Sequence, residues 1–373
     1  MSFVLVFLYA ILMVLNIVVS FKRKKNILPE LLCFLLLTFL MCGHTYSNSG
    51  DSTDLFYYER DYNSILSNRS NIQDYSLYYL FWESQKIGKL IGLSYRSWWT
   101  IMTVVSLIII YIVLKTNNCN TNYCLFFFMF FAIALYTGLK YYYGFCLLSL
   151  GIKYLLRNKG IKDKLIYLLF VVLAGGFHAM HYFFVLLLLI DLRLFSPKVI
   201  FYITIPSFAL VLFFFRNLFT SSVFNIVSPI LLEHDNSRVV YFQSTTNLGV
   251  LIPISLHLVT LLYAFKYKGI VFDENVVALK KNAKRILLIN LFIVLLYPLY
   301  LFAITFARIN TVVAILTLFF SSSNLSSLPS SRQRELFLYG TLVIVVFGFY
   351  FYGACGYFDY NFKPMFEPNG FYF

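Results

Sequence analysis

The sequence is short of charge. Only 12% of its 373 residues are Asp, Glu, Lys or Arg, about half of what a soluble domain carries. With 60% hydrophobic residues and a mean hydropathy of +0.76, a soluble fold is excluded. Acidic residues are the scarcer kind, 16 against 30 Lys and Arg, which leaves a net charge of +14. A pI near 9.4 would suggest nucleic acid in a soluble protein. Here there is no soluble basic surface to bind it, so nucleic acid is excluded as a partner.

Metal and nucleophile signatures are missing too. The six cysteines are Cys33, Cys42, Cys119, Cys124, Cys146 and Cys355, most of them in or beside apolar runs. Cys119 and Cys124 lack zinc-ligand spacing and have no histidine nearby, so all six read as small packing residues. There is no Gly-rich phosphate loop, no Gly-x-Ser-x-Gly elbow and no internal repeat. The first apolar run has no basic n-region and is followed by Lys22-Arg23-Lys24-Lys25. It is expected to be a retained anchor, not a cleavable signal peptide.

What is present is apolar runs suited to crossing about 30 Å of hydrocarbon. They fall at 2–21, 29–43, 98–114, 122–138, 141–156, 164–177, 180–195, 199–215, 248–265, 286–303, 309–320 and 336–352. The expected fold is all-α: a polytopic integral membrane protein of about twelve transmembrane helices, with a range of about ten to fourteen. The whole chain, 1–373, reads as a single transmembrane domain. Two long external loops, 44–97 and 216–247, are expected to contain short helices.

Sidedness follows from Lys and Arg in the short loops. With the first basic cluster inside, the cytoplasmic stretches are 22–28, 115–121, 153–164, 191–198, 266–285 and 321–335. They hold 20 of the 30 basic residues, and six acidic residues lie on that side. The outer face holds ten of each sign. The whole net charge is therefore an inside excess, and both termini fall outside.

The two long polar stretches place the chemistry on the outer face, because connections of that length are usually functional. The first is rich in acids and tyrosines. Asp54, Tyr58 and Tyr62 are spaced to share one face of a helix. Carboxylates accept hydrogen bonds from sugar hydroxyls and rings stack on sugar faces; the alternative is a solvated loop with tyrosines in the interfacial belt. Ionisable groups beside apolar segments are costly to bury. Lys140, Arg308 and the pair His178 and His181 all stand at such places on one predicted side. A single cation there would snorkel to the headgroups, but three such places facing an acidic loop point to a shared polar cavity. Arg and Lys can hold a phosphate or pyrophosphate and stabilise its departure. A His or carboxylate can take a proton from an attacking hydroxyl. The same types would fit an anion or proton pathway.

At these residues the sequence resembles the EpsG branch of the Wzy-type polysaccharide polymerases. Asp54-Leu55-Phe56-Tyr57-Tyr58-Glu59-Arg60-Asp61-Tyr62 is similar to that family's external Asp with Tyr four and eight residues on. Asp74-Tyr75-Ser76-Leu77-Tyr78-Tyr79, followed by Ile91-Gly92-Leu93-Ser94-Tyr95, resembles its acid–Gly–Tyr segment. Ala174-Gly175-Gly176-Phe177-His178 resembles Ala-x-x-Phe-His, and Phe306-Ala307-Arg308 resembles a late Phe-x-Arg. The patterns run in order over about residues 30 to 363. Two departures stand out. The family's Gly-x-Arg-Gln reads Gly138-Leu139-Lys140-Tyr141 here, which keeps the charge and loses the bidentate fork. Asp74 is followed by Tyr75 in place of Gly.

The resemblance implies transfer of a growing glycan from undecaprenyl pyrophosphate to the terminal sugar of a lipid-linked repeat unit. That would occur at the outer face of a bacterial plasma membrane. It implies pyrophosphate contacts from Arg308 and Lys140, joined by Arg238 or Arg216. His178 is the first choice as general base, with Asp54 as rival or sugar anchor and Arg308 as the catalytic cation. Tyr58, Tyr62, Asp74 and Tyr143 would contact the glycan. No metal and no cofactor is expected. The expected partners are undecaprenyl-pyrophosphate-linked oligosaccharides, membrane lipid and a chain-length regulator. Two other readings stay open: a flippase or transporter for such lipids, and another polyprenyl-phosphate-dependent glycosyltransferase or ligase. The first calls for mid-bilayer charge and an internal repeat, and His257 is the main polar residue deep in an apolar run. The second would differ only in making one transfer per acceptor.

Overall fold

The computed structural model describes residues 3–21, 27–43, 54–66, 77–136, 138–191, 202, 205–206, 247–297, 300, 308–354 and 365–366. Among these residues every regular element is a helix, with one isolated bridge between Cys119 and Ser323. The helices are α1 (Phe3–Ser20), α2 (Ile27–Gly43), α3 (Asp54–Ser64), α4 (Tyr79–Leu90), α5 (Tyr95–Thr116) and α6 (Thr121–Tyr136). Then come α7 (Leu139–Arg157), α8 (Ile161–Phe177) and a 3-10 segment, Ala179–Asp191. After residue 246 follow α9 (Asn247–Asp273), α10 (Val277–Val294), α11 (Arg308–Ser321) and α12 (Ser330–Gly348), the last continuing as a π-helical turn, Phe349–Ala354. The chain divides into two compact units, Met1–Val185 with Leu318–Phe373, and Leu186–Thr317.

The outward faces identify the solvent. On α1, Phe3, Phe7, Ile11, Val14 and Val18 are exposed, while Leu5, Tyr9, Leu12, Asn16 and Val19 are buried. On α5 the exposed residues include Ile101, Val105, Ile108 and Ile112, on α12 Leu338, Leu342 and Val345, and Phe349 follows at the start of the π-helical turn. Helix-spaced stripes this apolar are stable only against hydrocarbon. Among the described residues, Phe3–Ser20, Tyr95–Thr116, Pro253–Asp273 and Ser330–Gly353 are long and apolar enough to cross a bilayer. The sequence reading of about twelve crossings also counts shorter apolar runs. The run 199–215 and the loop 216–247 lie almost wholly outside the described residues.

Two expectations are corrected here. The stretch 266–285, read as a long basic loop, is mostly helix. α9 continues through Lys266 and Lys268 to Asp273, and α10 starts at Val277, well before the apolar run at 286. Lys and Arg are good helix formers, and backbone hydrogen bonding continues where the apolar pattern stops. The turn between them is tight because Asn275 adopts φ +52°, with Val276 N–H bonded to the Val271 carbonyl at 3.1 Å. The second correction is local: within the run expected at 180–195, the described part, up to Asp191, forms a 3-10 helix.

Among the described residues the non-glycine positions with positive φ are all asparagine: Asn118, Asn158, Asn275 and Asn324. Asn tolerates the left-handed conformation that ends a helix. All four stand in stretches read as cytoplasmic.

Within the first unit the loops read as cytoplasmic meet at one end. Lys115 at the end of α5 pairs with Glu30 in the first turn of α2 at 2.6 Å, and Asn122 of α6 adds a 3.3 Å bond to the same carboxylate. Asn120 Nδ2 donates to the Ser20 carbonyl at 2.8 Å, and its N–H to the Ser322 carbonyl at 3.2 Å. Lys153 Nζ reaches the Thr116 carbonyl at 3.3 Å. Glu30 is buried, so its pairing matters more than a surface bridge would.

At the same end Arg157 holds Asp163 through Nε at 2.9 Å and through NH2, and the Lys159 N–H adds a 2.7 Å bond. The Arg157 hydrogen bond, and then that N–H, lower the Asp163 carboxyl from its ordinary 3.8 to about 2. A carboxylate depressed on folding adds stability above its unfolded pKa and loses it as pH falls through the folded value. Asp163→Asn should therefore lower the thermal midpoint at pH 7. The difference from wild type should shrink between pH 4 and pH 2 in detergent melts. At neutral pH, Lys115→Met leaves the Glu30 carboxylate buried with its ion pair gone. It should cost ~2–3 kcal/mol in unfolding, and the double change with Glu30→Met should recover most of it.

Candidate functional site

The opposite end of the first unit is built from aromatics. On α3 the four-residue spacing puts Tyr58 and Tyr62 on the inner face, and both are buried. Tyr62 packs on Trp98 at 5.9 Å and Tyr95 at 5.5 Å, and its hydroxyl donates to the Leu93 carbonyl at 2.8 Å. Burial raises its phenol above the ordinary pKa, which keeps the donor proton in place. Tyr58 meets Phe81 of α4 at 5.1 Å. α4 in turn presents Phe81, Trp82, Gln85 and Gly88, all buried, one helical face repeating at three and four residues.

Lys140, in the first turn of α7, reaches into this cluster. Its ammonium lies 4.3 Å from the Trp82 ring centroid, 4.4 Å from Tyr78, 5.0 Å from Tyr58 and 5.5 Å from Phe81. Cation–π attraction is worth about 0.5–2 kcal/mol per contact, most where water is excluded. The charge is thereby held half-buried at the mouth of the helices. Tyr78 is shared: its ring lies 5.1 Å from that of His178. Lys140, Tyr78 and His178 therefore stand side by side.

His178 closes α8 in an extended conformation, with its N–H bonded to the Ala174 carbonyl at 3.0 Å. Its Nδ1 accepts the Met180 N–H at 3.3 Å. In a neutral ring that places the proton on Nε2, so the side chain offers a donor on the other edge. Tyr141 stands between the two histidines, 5.1 Å from His178 and stacked 4.7 Å from His181. His181 is fully buried and its Nε2 bonds the Tyr141 carbonyl at 3.0 Å.

The glycines in this region serve close approach. A Cβ at Gly144 would stand 2.4 Å from His181 Cδ2 and 2.8 Å from the Ala174 carbonyl oxygen. A Cβ at Gly176 would stand 2.7 Å from Leu80 Cδ1. The Gly-Gly before Phe177-His178 thus fits α8 against α4 and the 3-10 segment.

The remaining site residues divide as follows. Tyr143 is buried, 6.4 Å from Phe81 and Trp98 and 6.2 Å from Phe177. It and Tyr62, read from sequence as glycan contacts, are both buried against neighbouring rings. Asp54 opens α3, one turn before Tyr58. Asp74, Arg216 and Arg238 lie outside the described residues. Arg308 begins α11 in the second unit. Two residues on, Asn310 accepts the Tyr300 hydroxyl at 2.5 Å and donates to the Pro253 carbonyl at 2.8 Å, which ties the start of α11 to α9. In that unit His257 Nδ1 meets the Tyr297 hydroxyl at 2.6 Å. Among the described residues no group of three His, Cys, Asp or Glu side chains could hold a metal ion.

Sequence reasoning missed the ring around Lys140. Tyr78, Phe81 and Trp82 carried a signal, since their three- and four-residue spacing puts them on one helical face, but not which cation that face would meet. The close packing yields a test: Gly144→Ala should destabilise the protein by ~1–3 kcal/mol and shift the His181 ring resonances.

The family profile described as the EpsG family matches residues 30–364. Searches of curated proteins and of solved structures returned no match. The matched span takes in α3, the Lys140 cluster, the Phe177-His178 corner and Arg308, and on that coverage the chain belongs to the EpsG family.

Proposed function

We propose that this chain is a membrane polysaccharide polymerase. It moves a growing glycan from undecaprenyl pyrophosphate to the terminal sugar of a lipid-linked repeat unit, at the outer face of a bacterial plasma membrane. Family membership supports a glycosyltransferase-like role in polysaccharide synthesis. The observation that carries the finer reading is the cluster of Lys140, Tyr78 and His178 at the end of the first unit away from its basic loops. That sidedness fits about twelve crossings with the cluster facing outward.

In the reaction the acceptor hydroxyl oxygen bonds to the anomeric carbon while the bond from that carbon to the pyrophosphate oxygen breaks. The leaving group departs as the lipid pyrophosphate anion, and the hydroxyl proton passes to a base. Lys140 and Arg308, with Arg216 or Arg238, take the pyrophosphate charge. The Met180 N–H on Nδ1 makes His178 a donor through Nε2, suited to the departing oxyanion. Proton removal then falls to Asp54, and Tyr58 borders the glycan path. The working partners are undecaprenyl-pyrophosphate-linked oligosaccharides, the surrounding lipid and a chain-length regulator.

The test is purified protein supplied with lipid-linked repeat units and read as a glycan ladder. Arg308→Ala should lower the rate by about 100-fold or more, and a full ladder from that variant would sink the phosphate role. His178→Gln keeps a donor and has no basic nitrogen, so it should retain clearly more activity than His178→Ala. Equal losses in the two would return the base role to His178. A single added unit in place of a ladder would favour a ligase.

A further inference from the structure

The wall between α4 and α5, beside the Lys140 cluster, contains buried polar groups without a hydrogen-bond partner among the described residues. Gln85 is fully buried, and neither its amide oxygen nor its nitrogen has a hydrogen-bond partner among the described residues. The same holds for the indole N–H groups of Trp82, Trp98 and Trp99, which are all three tryptophans of the chain. Gln85 shares its helical face with Phe81 and Gly88. Phe81 lies 5.6 Å from the Trp98 ring, and a Cβ at Gly88 would meet Trp98 Cδ1 at 2.7 Å. The α4 residues on either side of Gln85 thus pack on Trp98 of α5, and the two helices meet in one seam. Each of these polar groups loses its water on burial without a replacement.

The chemistry of the set limits what would satisfy it. An amide offers one acceptor and one donor side, and indoles offer donors alone. All are neutral. A phosphate would be repelled by Gln85 Oε1, whereas a hydroxyl both gives and accepts. Aromatic walls add faces for the C–H side of a sugar ring. We propose that this seam is a sugar subsite, resting on the polymerase reading, in which Gln85 reads two adjacent hydroxyls of a pyranose. Oε1 accepts from one hydroxyl and Nε2 donates to the other, while Trp98 Nε1 donates to a third oxygen. Both side chains are out of solvent, so α4 draws away from α5 to admit the ring. The pyrophosphate at Lys140 and the sugar at Gln85 are then separate parts of one donor or acceptor lipid.

Because every tryptophan lies in or beside this wall, their emission reports on it directly. The experiment titrates the full chain in nanodiscs with methyl α-D-glucopyranoside, methyl β-D-galactopyranoside and, as a control, inorganic pyrophosphate. A saturable change with at least one glycoside is expected. Gln85→Met should weaken it about tenfold, the usual scale for one lost pair of hydrogen bonds. The KM for lipid-linked repeat units should rise by a similar factor while the pyrophosphate response stays. The variant should melt no lower than wild type, since it removes a bare buried amide. Trp98→Phe is the second variant, with the same expectation for the glycoside should Gln85→Met fail to fold. Silence of the wild type toward both glycosides, or an unchanged titration in the variants, overturns the subsite. The two readings fail separately. A wild type that binds glycoside and makes no ladder defeats the polymerase alone; a ladder with unchanged KM in Gln85→Met and no glycoside response defeats the subsite alone.

Discussion

The ammonium of Lys140 lies against rings from α3, from α4 and from the turn before α4, and the aromatic end of the first unit depends on that placement. A cation beside an apolar segment must find electron density or leave for the headgroups. Here the rings supply it. The same contacts fix α3 and α4, two short and partly polar helices that would have little reason to stay folded alone. They also set Tyr78 between the lysine and His178. One charge thus organises both a packing problem and a candidate site.

The other end solves the reverse problem. Its charges must be close to one another without entering the hydrocarbon. Glu30 is the one acid buried in the first turn of α2, and Lys115 and Asn122 satisfy it from two further helices. Arg157 and the Lys159 N–H do the same for Asp163. Asparagines in left-handed conformation end helices there, which keeps the connections short and holds their backbone groups in hydrogen bonds. One end of the unit is therefore tied by ions and caps, the other by aromatic rings.

Much of this was legible beforehand. Apolar runs marked α1, α2, α5, α6, α7, α8, α11 and α12 closely, because the exclusion of charge from hydrocarbon is a local property of sequence. The runs failed at 266–285, where Lys and Arg continue a helix that apolarity alone would have ended. Among the candidate residues, Lys140 and His178 were singled out through the cost of ionisable groups beside apolar segments, and the structure sets both beside Tyr78. That Tyr62 and Tyr143 both pack on Trp98 was not legible, because a tyrosine looks the same in sequence whether its ring faces solvent or a tryptophan.

By itself, then, the sequence determined a helical membrane protein and the residue types available for phosphate and sugar chemistry. Those follow from transfer free energies, which each segment carries with it. Only the tertiary structure decided that four rings surround Lys140, that Nδ1 of His178 is taken by a backbone N–H, and that the buried Gln85 amide has no hydrogen-bond partner among the described residues. These depend on which helix faces meet across tens of residues, and a contact of that kind is a property of two surfaces and of neither sequence segment alone.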